Sequence, residues 1–241
     1  MAPRWHALVD FFFPPRCPFC GENRGDEKTS AGVCFSCFSQ IRKTAHPRCP
    51  RCGVGFTSDS GDDHLCSDCL AGDGYFTKAR ALAHYEGIMP GIISRYKYQG
   101  ESRLAKPLGD LLAGYEEPDF SFRDYLLLVP VPLHSRRLRR RGFNQALLLA
   151  RRISRRYSLP LDFTALRRIR ATTPQTELSA SERRKNIRGA FAVFQEQVVT
   201  EKAILLIDDV FTTGATVEEC AKVLLKAGAN RVDVLTLARA R

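Results

Sequence analysis

Long apolar runs are missing from this 241-residue chain, and none approaches the roughly 20 residues that a membrane-spanning helix needs. The opening segment, MAPRWHALVDFFFPP, carries a phenylalanine cluster, an internal Asp10 and no small-residue cleavage site, so it does not read as a secretory signal. The two absences predict a cytoplasmic protein. No Gly-Lys dipeptide occurs, which excludes a P-loop nucleotidase, and no G-x-G-x-x-G follows a strand pattern, which excludes a dinucleotide fold. Acidic residues are missing locally: between Tyr125 and Leu161 there are nine arginines and no Asp or Glu.

What is present is a globular composition, 44% apolar and 26% charged, in a chain long enough for one domain of about 150–170 residues plus a small module. The net charge of +11 is unevenly spread. Residues 1–76 hold 8 basic and 9 acidic side chains, and the whole excess lies in residues 77–241. A basic domain with a neutral appendage predicts an anionic partner, either nucleic acid or a phosphorylated small molecule.

The cysteines mark that appendage. Eight of nine fall into four C-x2-C pairs, Cys17/Cys20, Cys34/Cys37, Cys49/Cys52 and Cys66/Cys69, and each cysteine of the first half recurs 32 positions later. A C-x2-C turn aims two thiolates at one metal, and two turns complete a tetrahedral site for which zinc is the default ion. A disulfide scaffold would need an oxidising compartment that nothing here marks. Evenly paired knuckles suit zinc ribbons better than an iron–sulfur cluster. Four-cysteine sites have no open position, so the zinc is expected to be structural, and a segment so poor in aliphatics would hardly fold without it. Sequential pairing is the expectation and cross-brace pairing the alternative. His64 reads as a loop residue rather than a ligand, and the lone Cys220 as a buried apolar residue. The ribbons lack a phosphate-tracking surface and suit protein docking instead. The expected division is 1–72 for the N-terminal segment with its double zinc ribbon and 77–241 for the larger domain.

From Thr77 onward strand and helix patterns alternate. ARALAHYEG, YLLLVPVP, AILLIDD and RVDVLTLA read as strands. IMPGIISRYKYQG, SRLAKPLGDLLAGY, FNQALLLARRISRRY and VEECAKVLLKAG read as helices, the third with Ala146, Leu149, Ala150 and Ile153 on one face. Apolar strands separated by helices predict an α/β fold, a parallel sheet flanked by helices, with ligands at the carboxyl ends of its strands. There lies the segment from Ala203 to Cys220. A strand delivers Asp208 and Asp209 to the sheet edge, Thr212, Thr213, Gly214, Ala215 and Thr216 form a loop, and a helix begins near Val217. Backbone N–H groups, hydroxyls and a helix N-terminus around one point make a phosphate site, and adjacent carboxylates suit the vicinal hydroxyls of a ribose. A plain strand–turn–helix would leave two buried-edge carboxylates without a ligand, which is costly.

LLIDDVFTTGAT resembles the phosphoribosyl-pyrophosphate motif of type I phosphoribosyltransferases. VPVPLHSRRLRRRGFNQA, TTPQTELSASERRKNIRGAF and the start FFPPRCPFCG extend the resemblance to the ComF (ComFC) family of bacterial proteins over nearly the whole chain. It implies a double zinc ribbon fused to a phosphoribosyltransferase type I fold, with a role in DNA uptake during natural transformation. It implies that Asp208 and Asp209 are the catalytic, ribose-holding pair, and that Val210, Phe211 and Thr212 through Thr216 complete the phosphoribosyl site. The pyrophosphate loop falls on Val131, Pro132, Leu133 and His134 with Arg136 and Arg137, and Mg2+ would arrive with phosphoribosyl pyrophosphate. Residues 170–189, with Thr172, Thr173, Gln175 and Ser179, resemble the family's mobile lid. No base pocket is recognisable.

The acid-free stretch suggests a second ligand. Arg139, Arg140, Arg141, Arg151 and Arg152 are candidates for single-stranded DNA, with Arg155 and Arg156 in the same run. Phe143 and Tyr157 could stack on bases, Phe143 equally serving the core. Two readings follow. One is a DNA-uptake factor that binds a phosphoribosyl ligand, single-stranded DNA and uptake proteins through its ribbons. The other is an active phosphoribosyltransferase acting on a nitrogen nucleophile with pyrophosphate release. The N-terminal Trp5, Leu8, Val9 and Phe11–Phe13 cluster is expected to pack on the fold.

Overall fold

Four parallel strands, in the order β1-β6-β5-β2, form the centre of the computed structural model: β1 (Ala79–His84), β2 (Leu127–Pro130), β5 (Ala203–Phe211) and β6 (Arg231–Arg239). The structure describes residues 15–23, 31–56, 61–72, 74–172 and 180–240, so the Trp5 to Phe13 cluster and Thr173, Gln175 and Ser179 of the expected lid lie outside it. The α-helices among the described residues are α1 (Phe35–Ser39), α2 (Ser67–Leu70), α3 (Met89–Tyr98), α4 (Ala105–Ala113), α5 (Ser135–Arg141), α6 (Gln145–Tyr157), α7 (Ala180–Ile187), α8 (Glu196–Val199) and α9 (Ala215–Lys226). Two short strands, β3 (Leu166–Arg168) and β4 (Phe191–Val193), pair antiparallel beside the main sheet.

The β5 strand is central because its run of Ile204, Leu205, Leu206 and Ile207 is buried on both faces. Alternation sends Leu205 and Ile207 into one core with α3, α4 and α6, and Ile204 and Leu206 into the other with α9 and the β3–β4 pair. Ala146, Leu149, Ala150 and Ile153 are the buried stripe of α6, as the sequence periodicity predicts. The helix after the threonine loop begins at Ala215, two residues before the position read from the pattern.

The two ribbons straddle the β1 edge. Cys17, Phe19, Val33 and Cys37 belong to the first core, Cys49 and Cys52 to the second. Between them the chain closes the open side of β1, where Thr44 Oγ1 donates to the Ala81 carbonyl at 2.7 Å. His84 N–H donates to Arg42 O at 2.8 Å, and Ala79 N–H to Arg51 O at 2.7 Å. An edge strand that would otherwise invite aggregation is thereby covered. Gly53 makes the fit possible: its φ is +70°, and a Cβ there would lie 2.7 Å from the Ala79 carbonyl oxygen. At the far edge, Leu128 N–H donates to Pro160 O at 2.8 Å and Asp162 N–H to Leu128 O at 3.0 Å, so β2 is covered too. Among the described residues no helix is long and apolar enough to cross a membrane.

Candidate functional site

The carboxyl end of β5 carries Asp208 and Asp209 on opposite faces of the sheet. Asp209 shares the side of Leu205 and Ile207 and meets Lys97 of α3, whose Nζ stands 2.7 Å from Oδ1. Burial alone would lower the Lys97 ammonium, but the adjoining Asp209 and Asp208 carboxylates outweigh it and hold it above its usual value. Asp208 shares the opposite side with Arg168 and Cys220, and its Oδ1 accepts the Asp209 backbone N–H at 2.8 Å. Burial and then the Asp209 charge push Asp208 up to about 7, against the weaker pull of Lys97 and Arg168. The pair thus holds one carboxylate neutralised by lysine and one that titrates near neutral pH.

Beyond it the chain turns at Gly214, with φ +75°, where a Cβ would lie 2.7 Å from Phe211 Cζ; no larger residue fits without displacing that ring. Ala215 N–H approaches Thr213 Oγ1 at 3.5 Å and α9 begins there, its first-turn amides without intrahelical acceptors. These elements wall a cleft of about 620 Å³. Its lining includes Asp208, Asp209, Val210, Phe211, Thr212, Gly214, Ala215 and Thr216 together with Val131, Pro132, Leu133, Arg137, Arg140 and Arg141. Of the expected residues, Thr213 faces a second cavity behind the loop. His134 and Arg136 are not among the cleft's walls; His134 caps α5, its Nδ1 accepting the Arg136 N–H at 3.3 Å.

Several cleft residues escape the sequence reading. Lys97 and Tyr98 come from α3, Arg168 from β3, and Asn144 and Gln145 from the start of α6. Asn144 caps α6 by accepting from Ala146 N–H at 3.0 Å, while its Nδ2 donates to Val131 O at 3.1 Å, which fixes the loop after β2 to the helix. Arg141 Nη1 donates to Gln145 Oε1 at 2.7 Å, and its guanidinium lies 5.1 Å from the Tyr98 ring centroid. Arg137 and Arg168 both donate to Thr172, at the start of the expected lid segment. Arg170 donates to Asn186 O and Arg188 O at 2.8 and 2.7 Å, tying residue 170 to the end of the same segment. Burial lowers Arg168 to about 10, with Arg137 adding to the effect and the nearby Asp208 opposing it only weakly. A polar pair, Asn-Gln, opening an amphipathic helix and a lysine between tyrosines near a helix end are the signals that could have found Asn144, Gln145 and Lys97.

The arginine run is divided between the cleft and the outer side of α6. Arg140 and Arg141 on α5 face the cleft, whereas Arg152 on α6 is paired with Asp110 at 2.6 Å and Arg151 lies 5.9 Å from the Phe163 ring. Tyr157 is engaged as a brace rather than free for stacking: its hydroxyl donates to Ala113 O at 2.8 Å and its ring stacks on Phe122 at 4.4 Å. Phe143 packs against buried Tyr96, so it serves the core. The exposed aromatics lining the cleft are Tyr98 and, less so, Tyr85.

Lys97→Met is expected to destabilise the protein by about 2–3 kcal/mol, since it strands a carboxylate at a buried strand end. The loss should be larger at pH 8 than at pH 6, because Asp208, pushed up to about 7, gains its charge across that interval beside the same lysine; equal denaturation midpoints for variant and wild type would refute the pairing.

The eight cysteines assemble sequentially, Cys17, Cys20, Cys34 and Cys37 in one group and Cys49, Cys52, Cys66 and Cys69 in the other, all sulfurs of a group within 4.8 Å of one another. Cys20 and Cys34 sulfurs are 3.8 Å apart and those of Cys52 and Cys66 3.6 Å. A tetrahedron with zinc–sulfur bonds of about 2.3 Å has edges of about 3.8 Å, so both groups fit the ion. Phe19 and Cys34 N–H groups donate to Cys17 Sγ at 3.4 Å, as a ligating thiolate requires. His64 stacks on Phe56 outside the ligand set, and Cys220 is fully buried in α9.

Residues 8–70 match the double zinc ribbon domain and residues 143–241 the phosphoribosyl transferase domain. The chain is 33% identical to competence protein F of Haemophilus influenzae over 235 residues, covering 95% of this chain and 99% of that protein. It is 35% identical to the DNA utilization protein YhgH of Escherichia coli K12 over 219 residues, 86% of this chain and 90% of the relative. With competence protein ComFC of Streptococcus pneumoniae it shares 30% over 240 residues, 93% and 100% of the two chains.

Proposed function

The chain belongs to the family of competence protein F and ComFC, and from that premise we propose that it binds phosphoribosyl pyrophosphate with Mg2+, and single-stranded DNA, in DNA uptake. The observation that carries the reading is the gathering, within one cleft, of the Asp208–Asp209 pair and threonine loop with Lys97, Arg137, Arg140, Arg141 and Arg168. The N-terminus of α9 and the loop amides suit a 5′-phosphate. The two carboxylates suit the ribose hydroxyls, and the arginines with the backbone of residues 131–133 suit pyrophosphate. Mg2+ would bridge phosphate oxygens and arrive with the substrate. Phe35 and Leu70, exposed on the ribbons, support docking of uptake proteins there.

A carboxyl group near pH 7 beside a ribose site favours a second reading, transfer of the phosphoribosyl group to a nitrogen nucleophile. Phosphorus NMR with phosphoribosyl pyrophosphate and Mg2+, with and without a pool of amines and bases, separates the two. Shifted signals without release mean a binding protein, nucleophile-dependent pyrophosphate release means an enzyme, and unshifted signals in every mixture overturn both.

The DNA half has its own test. Replacing Arg139, Arg140 and Arg141 with alanine should reduce the slope of log affinity for single-stranded DNA against log salt by about 2, at roughly 0.7 per phosphate contact. An unchanged slope would remove α5 from the DNA surface.

A further inference from the structure

The second zinc centre lies directly behind the phosphate loop. Cys49 and Cys52 pack in the same core as Phe211, Ala215 and Val217. Arg239, the last residue of β6, is only 9% exposed, and its Nη2 donates to Cys52 Sγ at 3.3 Å. Among the described residues its Nε and Nη1 have no hydrogen-bond partner. The guanidinium carbon stands 4.2 Å from the centroid of the Phe211 ring, which is the ring that Gly214 packs against. From the other direction Phe76 meets Phe211 edge-on at 5.8 Å, and Arg51 of the same cysteine knuckle lies 5.7 Å from the Phe76 ring.

We propose that Arg239 is a positioning residue that ties the second zinc centre to the phosphate loop, so that zinc on Cys49, Cys52, Cys66 and Cys69 and a phosphoribosyl ligand on loop 212–216 tighten each other. The inference rests on the phosphoribosyl reading above. A buried guanidinium needs an anionic partner, and the hydrogen bond to Cys52 Sγ supplies it. A closed four-thiolate zinc centre carries a net charge of about −2 and holds the Cys49–Cys52 knuckle against the Cys66–Cys69 knuckle. With zinc bound, Cys52 therefore stays in place, Arg239 stays over Phe211, and Phe211 fixes the turn at Gly214. Without it the knuckles part, the guanidinium loses its anchor and the ring is no longer pinned. Linkage makes the effect mutual, since a ligand that needs the fixed loop must favour the zinc-loaded centre by the same factor. The first centre offers a contrast. It packs in the opposite core, and its knuckle is held by Arg95, which donates to Phe19 O at 2.5 Å and Pro18 O at 3.2 Å.

The experiment follows release of the two zinc ions from the full-length protein into a zinc-selective chelator that spares Mg2+, with and without saturating phosphoribosyl pyrophosphate. In wild type the ligand should slow one of the two release phases by about fivefold or more, the lower end of typical coupling, and leave the other unchanged. Arg239→Gln should speed that same phase by about tenfold, as loss of a partner to a metal ligand does, and abolish its response to ligand. Arg239→Lys, which keeps the charge without the flat stacking face, should restore zinc retention but only part of the response. Phe211→Leu should leave zinc retention near wild type and remove the response, which covers the case in which the arginine variants fail to fold. Ligand binding with both phases unaltered would overturn the coupling. No ligand binding to wild type at all would instead overturn the phosphoribosyl reading on which it rests.

Discussion

Asp208→Asn is expected to give a protein that is more stable than wild type at pH 8 and a poor binder of phosphoribosyl pyrophosphate. Burial, with the neighbouring Asp209 charge, pushes Asp208 up to about 7, whereas an unfolded aspartate titrates near 3.9. Between those values the folded chain keeps a proton that the unfolded chain has released. The contribution of this group to stability is therefore complete below about pH 4, falls through the interval and is lost above about 7. Asparagine does not ionise and still accepts the Asp209 N–H that Asp208 Oδ1 now takes. The gain should be about 2 kcal/mol at pH 8, or roughly 4–8 °C in Tm for a chain of this size, and should shrink toward pH 5. Binding should weaken by about 10- to 100-fold, the value of a hydrogen bond to a charged acceptor. Thermal melts at pH 5 and pH 8 with a ligand titration decide it. A variant that melts like wild type at both pH values refutes the strained carboxyl, and one that binds equally well removes Asp208 from the ribose site. A stabilising loss of function is the behaviour expected of a group kept for its ligand.

The largest loss is expected from Cys49→Ser. Cys49 is fully buried, and its N–H closes the knuckle on Val54 O at 2.8 Å. The variant should retain one zinc ion of two. A structural zinc supplies about 10–16 kcal/mol of folding energy to an isolated finger, and even a fraction of that exceeds most single substitutions. Because the chain around the second centre also covers the β1 edge through Arg51 O, the same change should expose that strand and promote aggregation. Zinc stoichiometry and urea unfolding are the measurements. Two ions retained with an unchanged midpoint would show that Cys49 is not a ligand. Cys20→Ser should be milder, since Cys20 is exposed and its centre lies against the other face of the sheet.

The two features most readable in the linear chain are local ones. A C-x2-C knuckle places both of its ligands within one turn, and the 32-residue repeat shows that the turn occurs as two matched sets. Asp208, Asp209 and the threonine loop are likewise neighbours along the chain, and the switch from strand to helix that aims them is written in the hydrophobic pattern. Helix α5 was not readable. Its sequence SRRLRRR has no buried residue and hence no apolar period, and a cap from His134 begins it. The β3–β4 pair was missed because three-residue strands are too short for alternation to show.

By itself, then, the chain determined the metal, the fold class and the acidic and threonine half of the cleft, since each rests on residues a few positions apart. Tertiary structure decided the rest. Lys97 finds Asp209, Arg168 comes beside Asp208, and Arg239 reaches Cys52 across 187 positions of sequence. It also gave Arg152 and Tyr157, which the sequence offers for nucleic acid, partners on α4 and at its end. The reason is physical. A strand sends consecutive side chains to opposite faces, and what waits on each face is set by crossover connections that carry distant segments back over the sheet. The partners of a buried charge therefore belong to the packing and have no trace in the residues next to it.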